Sequence, residues 1–335
     1  MKHCLLAFAL LIAYTAGSCL AQEEIQSELL LIIGAEGTDE YAQVFAENAE
    51  LWKAAADQGK SKLTVVDSTD EEPLKAIQTY LAEIDRSRAL PLWIVMIGHG
   101  TSSKREAFFN LAGKDLSAKQ LHEWLEPFKR PLIVINTASC SGAFLPALST
   151  PNRILITATK SGSEVNFASF GNYFAAGLQN PEADLNNDGE ISLYECYHYA
   201  AKQTADFYDQ EGRIATETPL IEDNGDGRGT SLKALQALEA GGKAKREPDG
   251  SFAKRWSLIL SEAEQAIPPA VRQKRNVLES QVDQLRRSRS HEDGYYTALE
   301  ELLLKIATLY QELELSKVEE QDDVGEPISV EIKDL

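Results

Sequence analysis

The chain has 335 residues, of which 25% are charged and 43% apolar, a composition that fits a globular protein and excludes wholesale disorder. Its formal net charge of −19 argues against unassisted binding to nucleic acid or an anionic membrane, because phosphate contacts need clustered Lys and Arg. The length allows a full α/β core with material left for a second region.

Residues 1–21 read as a secretory signal peptide. Lys2 and His3 precede an apolar stretch from Cys4 to Tyr14, and Cys19-Leu20-Ala21 before Gln22 forms a small-x-Ala cleavage site. The stretch is too short to span a bilayer stably, and no other run is long enough for a membrane helix. The protein is therefore expected to be exported, periplasmic or extracellular; a lipid anchor at Cys19 is the alternative. Cleavage would leave only Cys140 and Cys196. Two cysteines in an exported protein can simply pair. Here one is expected at a strand end and the other within a helix, which argues against pairing.

Ser27 to Gly37 (SELLLIIGAEG) reads as a first strand and its turn, and Tyr41 to Ala56 as a helix. Tyr41, Val44, Phe45, Trp52 and Ala55 form that helix's apolar stripe, with Asn48 a polar gap in it. Lys62–Asp67 is the second strand and Pro73–Ile84 the second helix. A third strand ends at His99, a helix over Leu116–Leu125 is capped by Ser117, a fourth strand ends at Cys140, and Arg153–Thr159 is the fifth. Strands alternating with helices imply a doubly wound, mainly parallel sheet with flanking helices. Beyond Thr230 the pattern changes. GGKAKREPDG (Gly241–Gly250) reads as a polar linker, and the chain from Phe252 to Leu313 is expected to be helical throughout, folding back at Gly294 as a hairpin.

Two apolar runs carry the functional signal. LWIVMIGHG ends at His99-Gly100 and LIVINTASC ends at Cys140, so neighbouring strands would deliver a base and a thiol to one edge of the sheet. Only the thiolate attacks, so a cysteine nucleophile needs a base nearby, and imidazole has the right pKa. Gly100, Ser141 and Gly142 are small, leaving backbone N–H groups free to approach a carbonyl oxygen.

A hydrophobic block ending in His-Gly, followed by one ending in a small residue and Cys, resembles the caspase-fold cysteine peptidases. The spacing and the intervening segment Phe108–Leu125 most resemble the legumain-type (asparaginyl endopeptidase-like) family, whose Glu-Ala-Cys-Glu-Ser-Gly motif is similar to TASCSG (Thr137–Gly142) in register at Cys140. The resemblance implies a caspase-like fold, Cys140 as nucleophile, His99 as acid/base, and an oxyanion site from the N–H groups of Gly100 and Cys140. It further implies that Glu164, in the segment Ile156–Gly171, helps line the first specificity pocket. Ala138 and Ser141 stand where the family motif is acidic, so the resemblance carries no asparagine preference at the scissile bond. By the same analogy the carboxyl-terminal helices would mask the site until the chain is cut near Lys243–Arg246. The domains are then a signal peptide (1–21), a caspase-like peptidase domain (22–240), a linker (241–251), a helical region (252–318) and an acidic tail (319–335).

DLNNDGEISLYE (Asp184–Glu195) fits an EF-hand loop position by position. Asp184, Asn186 and Asp188 offer side-chain oxygens, Gly189 permits the turn, Glu190 offers its carbonyl, Ser192 a direct or water-mediated ligand, and Glu195 a bidentate carboxylate. Ca2+, in a structural role, is the expected ion, with a helix over Ile191–Tyr208 following it. The competing reading is a solvated acidic turn. A second acidic stretch, Glu222–Gly229, lacks the terminal carboxylate and reads as a tight surface loop. The functional expectation is an exported cysteine endopeptidase acting on polypeptides, with no cofactor needed for the chemistry. The alternative is a catalytically inactive caspase-fold binding or scaffolding protein, calcium-stabilised, with the carboxyl-terminal helices as its partner surface.

Overall fold

The computed structural model describes residues 25–103, 106–242, 248–288 and 294–323. The signal peptide, the basic stretch Lys243–Arg246 and most of the acidic tail lie outside the described residues. In chain order the elements are β1 (Ser27–Ile33), α1 (Asp39–Gln58), β2 (Ser61–Val66), α2 (Pro73–Glu83), β3 (Leu92–Ile97), β4 (Gly100–Ser102), β5 (Ala107–Phe109), β6 (Leu116–Ser117), α3 (Ala118–Leu125), β7 (Leu132–Asn136), α4 (Leu145–Leu148), β8 (Arg153–Thr157), α5 (Phe170–Gly177), α6 (Leu193–Gln210), β9 (Leu220–Glu222), α7 (Leu232–Glu239), α8 (Glu262–Gln265), α9 (Pro269–Ser288) and α10 (Tyr295–Asp323).

The main sheet has the order β2-β1-β3-β7-β8-β9; all neighbours are parallel except the edge pair β8–β9. The expected doubly wound, mainly parallel sheet with flanking helices and a carboxyl-terminal helical hairpin is what the chain forms. Strands β3, β7 and β8 are buried along their whole length, as a sheet covered on both faces requires. Alternation along the strands sorts the core into two layers. Leu29, Leu31, Trp93, Val95, Ile133 and Ile135 face α1, α5 and α6. Leu30, Ile32, Ile94, Met96 and Val134 face α2 and α3. Each such side chain contributes roughly 1.5–3 kcal/mol of burial free energy, so the sheet is the stable frame on which loops are hung.

Several expected boundaries move. β3 stops at Ile97 and β7 at Asn136, so His99 and Cys140 lie on loops beyond the strands rather than at their last residues. Asn48, expected as a gap in the stripe, is buried and donates to Asn172 Oδ1 at 2.7 Å. The region after Phe252 is not helical throughout. Residues 256–261 are mainly irregular, and Phe252, Trp256 and Leu258 pack into the main core. Glu222–Gly229 is no simple surface loop either, because Glu222 and Asp223 are buried and Asp223 accepts from the N–H groups of Gly250, Phe252 and Ala253.

The carboxyl-terminal hairpin docks at the amino ends of the strands. Arg272 of α9 donates to Gln26, the residue before β1, at 2.7 Å. That is the end of the sheet opposite His99 and Cys140, so the hairpin does not mask them. Among the described residues no helix is long and apolar enough to cross a membrane.

Candidate active site

β3 and β7 are hydrogen-bonded neighbours, with Met96 beside Asn136, so the loops that leave them start from the same edge. Ser139 ties the loops together: its Oγ accepts from the Gly100 N–H and donates to the Gly100 carbonyl, both at 3.1 Å. The approach needs glycine, since a Cβ on residue 100 would lie 2.3 Å from the Ser139 carbonyl oxygen. The residue after His99 is thereby fastened to the residue before Cys140.

His99 sits half-buried among aromatic rings. Tyr41 meets it edge-on at 4.5 Å between centroids, with Phe45 at 5.3 Å and Phe167 at 6.1 Å. Tyr41 and Phe45 come from the apolar stripe of α1, one turn apart. Burial pulls the imidazole pKa below its ordinary value, and the backbone carbonyl of Glu36, which favours the protonated ring, partly offsets this. At neutral pH the ring is therefore a neutral base.

Cys140 has a left-handed backbone, φ 57° and ψ 7°, and leads into the short 3-10 helix Ser141–Phe144. A side chain in that region costs on the order of 1 kcal/mol, and such strain clusters at functional sites. The residue is 1% exposed, and its thiol donates to the Gly162 carbonyl at 3.4 Å. Burial pushes the thiol pKa up. His99 and Cys140 share no hydrogen bond in this conformation.

The two expected oxyanion donors are both occupied. Gly100 N–H is held by Ser139, and Cys140 N–H donates to the Glu164 carbonyl at 2.9 Å. The expectation that small neighbours leave these groups free fails for a simple reason: both are buried, and buried N–H groups find internal acceptors. Glu164 is placed close by, but its carboxylate does not open onto a pocket. It accepts from Lys160 N–H at 2.8 Å, Thr218 N–H at 3.0 Å and Thr218 Oγ1 at 2.9 Å, and pairs with Lys160 Nζ at 3.3 Å.

The acidic loop has EF-hand-like internal bonding. Asp184 Oδ2 accepts from Gly189 N–H at 3.0 Å, Asn186 Oδ1 from Asp188 N–H at 2.8 Å, and Asp188 Oδ1 from Glu190 N–H at 2.9 Å. Asp184 Oδ1 is buried with no partner. Glu195, however, spends both oxygens inside the protein, on the N–H groups of Leu185, Asn186 and Ser192 and on the Ser192 hydroxyl. Ser192 and Glu195 thereby form a capping box at the start of α6. Among the described residues no three or more His, Cys, Asp or Glu side chains converge on one metal position. Glu190 turns outward from the loop and accepts from Ser261 N–H at 2.9 Å.

Cys140 and Cys196 are both free, so the pairing alternative fails. Sequence reasoning missed Ser139, Thr218 and Phe167. Ser139 stood in plain view beside Cys140, but a serine at a strand end has many uses. Thr218 lies 54 residues from the glutamate it binds, and no local pattern announces such a contact.

No known protein family and no curated protein matches the chain by sequence. Among solved structures it is similar to that of the Drosophila initiator caspase Dronc, with 9% identity and a TM-score of 0.41 over 63% of this chain and 86% of that one.

Proposed function

We propose that the protein is an exported cysteine endopeptidase of the caspase fold and legumain type, with Cys140 as nucleophile and His99 as acid/base. The observation that carries the reading is the Ser139–Gly100 bridge, which holds the two loops of adjacent parallel strands together, with a strained cysteine on one and a neutral imidazole on the other. With a raised thiol pKa and a lowered imidazole pKa, the resting pair is thiol and neutral base rather than an ion pair. His99 would take the Sγ proton as sulfur attacks the peptide carbonyl carbon, then give that proton to the departing amine. Water, deprotonated by His99, would next attack the thioester, releasing the acid and restoring the thiol. In a Cys140→Ala variant peptide hydrolysis should vanish while the fold persists; hydrolysis at the parent rate would remove the assignment.

A second reading is favoured by the closed thiol: a caspase-fold scaffold without turnover. Leu303, Leu304 and Leu315, exposed on α10, would then supply its partner surface. An electrophilic peptide probe separates the two, since only the peptidase reading expects a Cys140 adduct.

Calcium at Asp184–Glu195 belongs to the same proposal. The buried, unpartnered Asp184 Oδ1 supports it. Glu195 would have to exchange its internal bonds for the ion.

A further inference from the structure

We propose that Lys160–Glu164 is a resident plug of the Cys140 site, clasped shut by Glu164 and Thr218, which a polypeptide substrate must displace. The inference rests on the peptidase reading only for the identity of the displacing ligand. The plug itself is argued from contacts. The Glu164 carbonyl accepts the Cys140 N–H at 2.9 Å, the place where a substrate carbonyl oxygen would accept it. The Gly162 carbonyl accepts the thiol at 3.4 Å. A substrate's backbone carbonyls could replace both bonds in kind, so opening would cost little once a substrate is present.

Ser163 on the plug's outer side is exposed, and Val165, just beyond the plug, is 66% exposed, while Cys140 beneath is 1% exposed. Its near end lies against Gly142, whose N–H donates to Thr159 Oγ1 at 3.0 Å; a Cβ on residue 142 would stand 2.3 Å from the Lys160 carbonyl carbon. Its far end is the clasp. The Glu164 carboxylate accepts twice from Thr218 and once from the Lys160 N–H, so it closes the loop on itself and fastens it to the chain leading into β9. The carboxyl-terminal hairpin, which family analogy would make the mask, lies at the other end of the sheet.

Two variants attack the plug from different ends without touching His99 or Cys140: Glu164→Ala removes the clasp, and Gly142→Ala wedges the loop outward. The readout is the rate of alkylation of Cys140 by iodoacetamide in the full folded chain, mapped by peptide mass, with Cys196 as the internal control. A small alkylator reports thiol access whether or not the enzyme turns over. The parent should react at least about tenfold more slowly at Cys140 than either variant, and Cys196 should stay unreactive in all three. Parent alkylation as fast as a free thiol, an unchanged rate in both variants, or Cys140 and Cys196 opening in parallel would each overturn the plug. Fast labelling in the variants without any peptide hydrolysis would leave the plug standing and remove the peptidase reading.

Discussion

Cys140 and Cys196 are both free and both buried, yet their surroundings differ in kind. Cys196 is fully buried in the first turn of α6, its thiol donating to the Phe174 carbonyl at 3.2 Å among core side chains. Burial raises its pKa well above the ordinary thiol value. Cys140 has a left-handed backbone in a turn beyond a strand, under the loop that carries Gly162, and the residue before it is bonded to the residue after His99. Burial is common to both; what separates them is the left-handed backbone of Cys140 and its place on a loop rather than within a helix, and the proposed function makes that difference one of reactivity.

The sharpest way to break this comparison is to remove each sulfur in turn. On the proposed mechanism, Cys140→Ala should lower peptide hydrolysis by about three orders of magnitude or more, while Cys196→Ala should leave the catalytic rate near the parent's. Equal losses in the two variants would erase the distinction. Next in size is the base. His99→Gln should cost roughly 10²–10⁴ in kcat with little change in melting temperature, measured on any peptide the parent cleaves.

A smaller effect sharpens the structural side. Cys196→Ala empties part of the α5–α6 packing and should destabilise the fold by about 1–2 kcal/mol in urea titration, whereas Cys140→Gly should cost less, because removing the Cβ releases the left-handed strain and offsets the lost contact. The pH dependence follows from the two shifts. Burial lowers the His99 pKa, so the ring stays a neutral base below the ordinary histidine value near 6.5, and the acid limb of kcat/KM should fall there rather than at 6.5. In the same window the unfolded chain binds more protons than the folded one, so the His99 contribution to stability is present above 6.5 and lost as the pH falls through it. An acid limb at or above 6.5 would contradict the buried placement.

Calcium tests the acidic loop rather than either thiol. At one hundred times the dissociation constant it should stabilise the chain by about 2.7 kcal/mol in a thermal shift that disappears in Asp184→Asn. Identical melting with calcium and with chelator would remove the ion from the account.

The fold was legible in the sequence because its signals are local. Five short apolar runs, the Ser117 cap and the stripe on α1 are each set within a few residues, and the alternation of strand and helix dictates a parallel sheet. The candidate site was legible to the level of which loops share an edge: the loop carrying His99 and Gly100 is bonded to the one carrying Ser139 and Cys140, and the Glu164 backbone meets Cys140. Their states were not legible. Whether the Cys140 N–H is free depends on a carbonyl 24 residues away, and whether Glu164 faces a pocket depends on Thr218. The same holds for Glu195, where one carboxylate can cap a helix or bind an ion and the sequence pattern is identical for both. The β9 edge and the core residues Phe252, Trp256 and Leu258 were missed because glycine-rich and polar neighbours hide short buried segments.

The central claim is that Cys140, with His99, is the one poised nucleophile. The most direct measurement is peptide mapping after reaction of the native chain with an electrophilic peptide ketone under reducing conditions. The account expects a single adduct at Cys140 that is lost in His99→Gln. No adduct at Cys140, or equal adducts at Cys140 and Cys196, would contradict it.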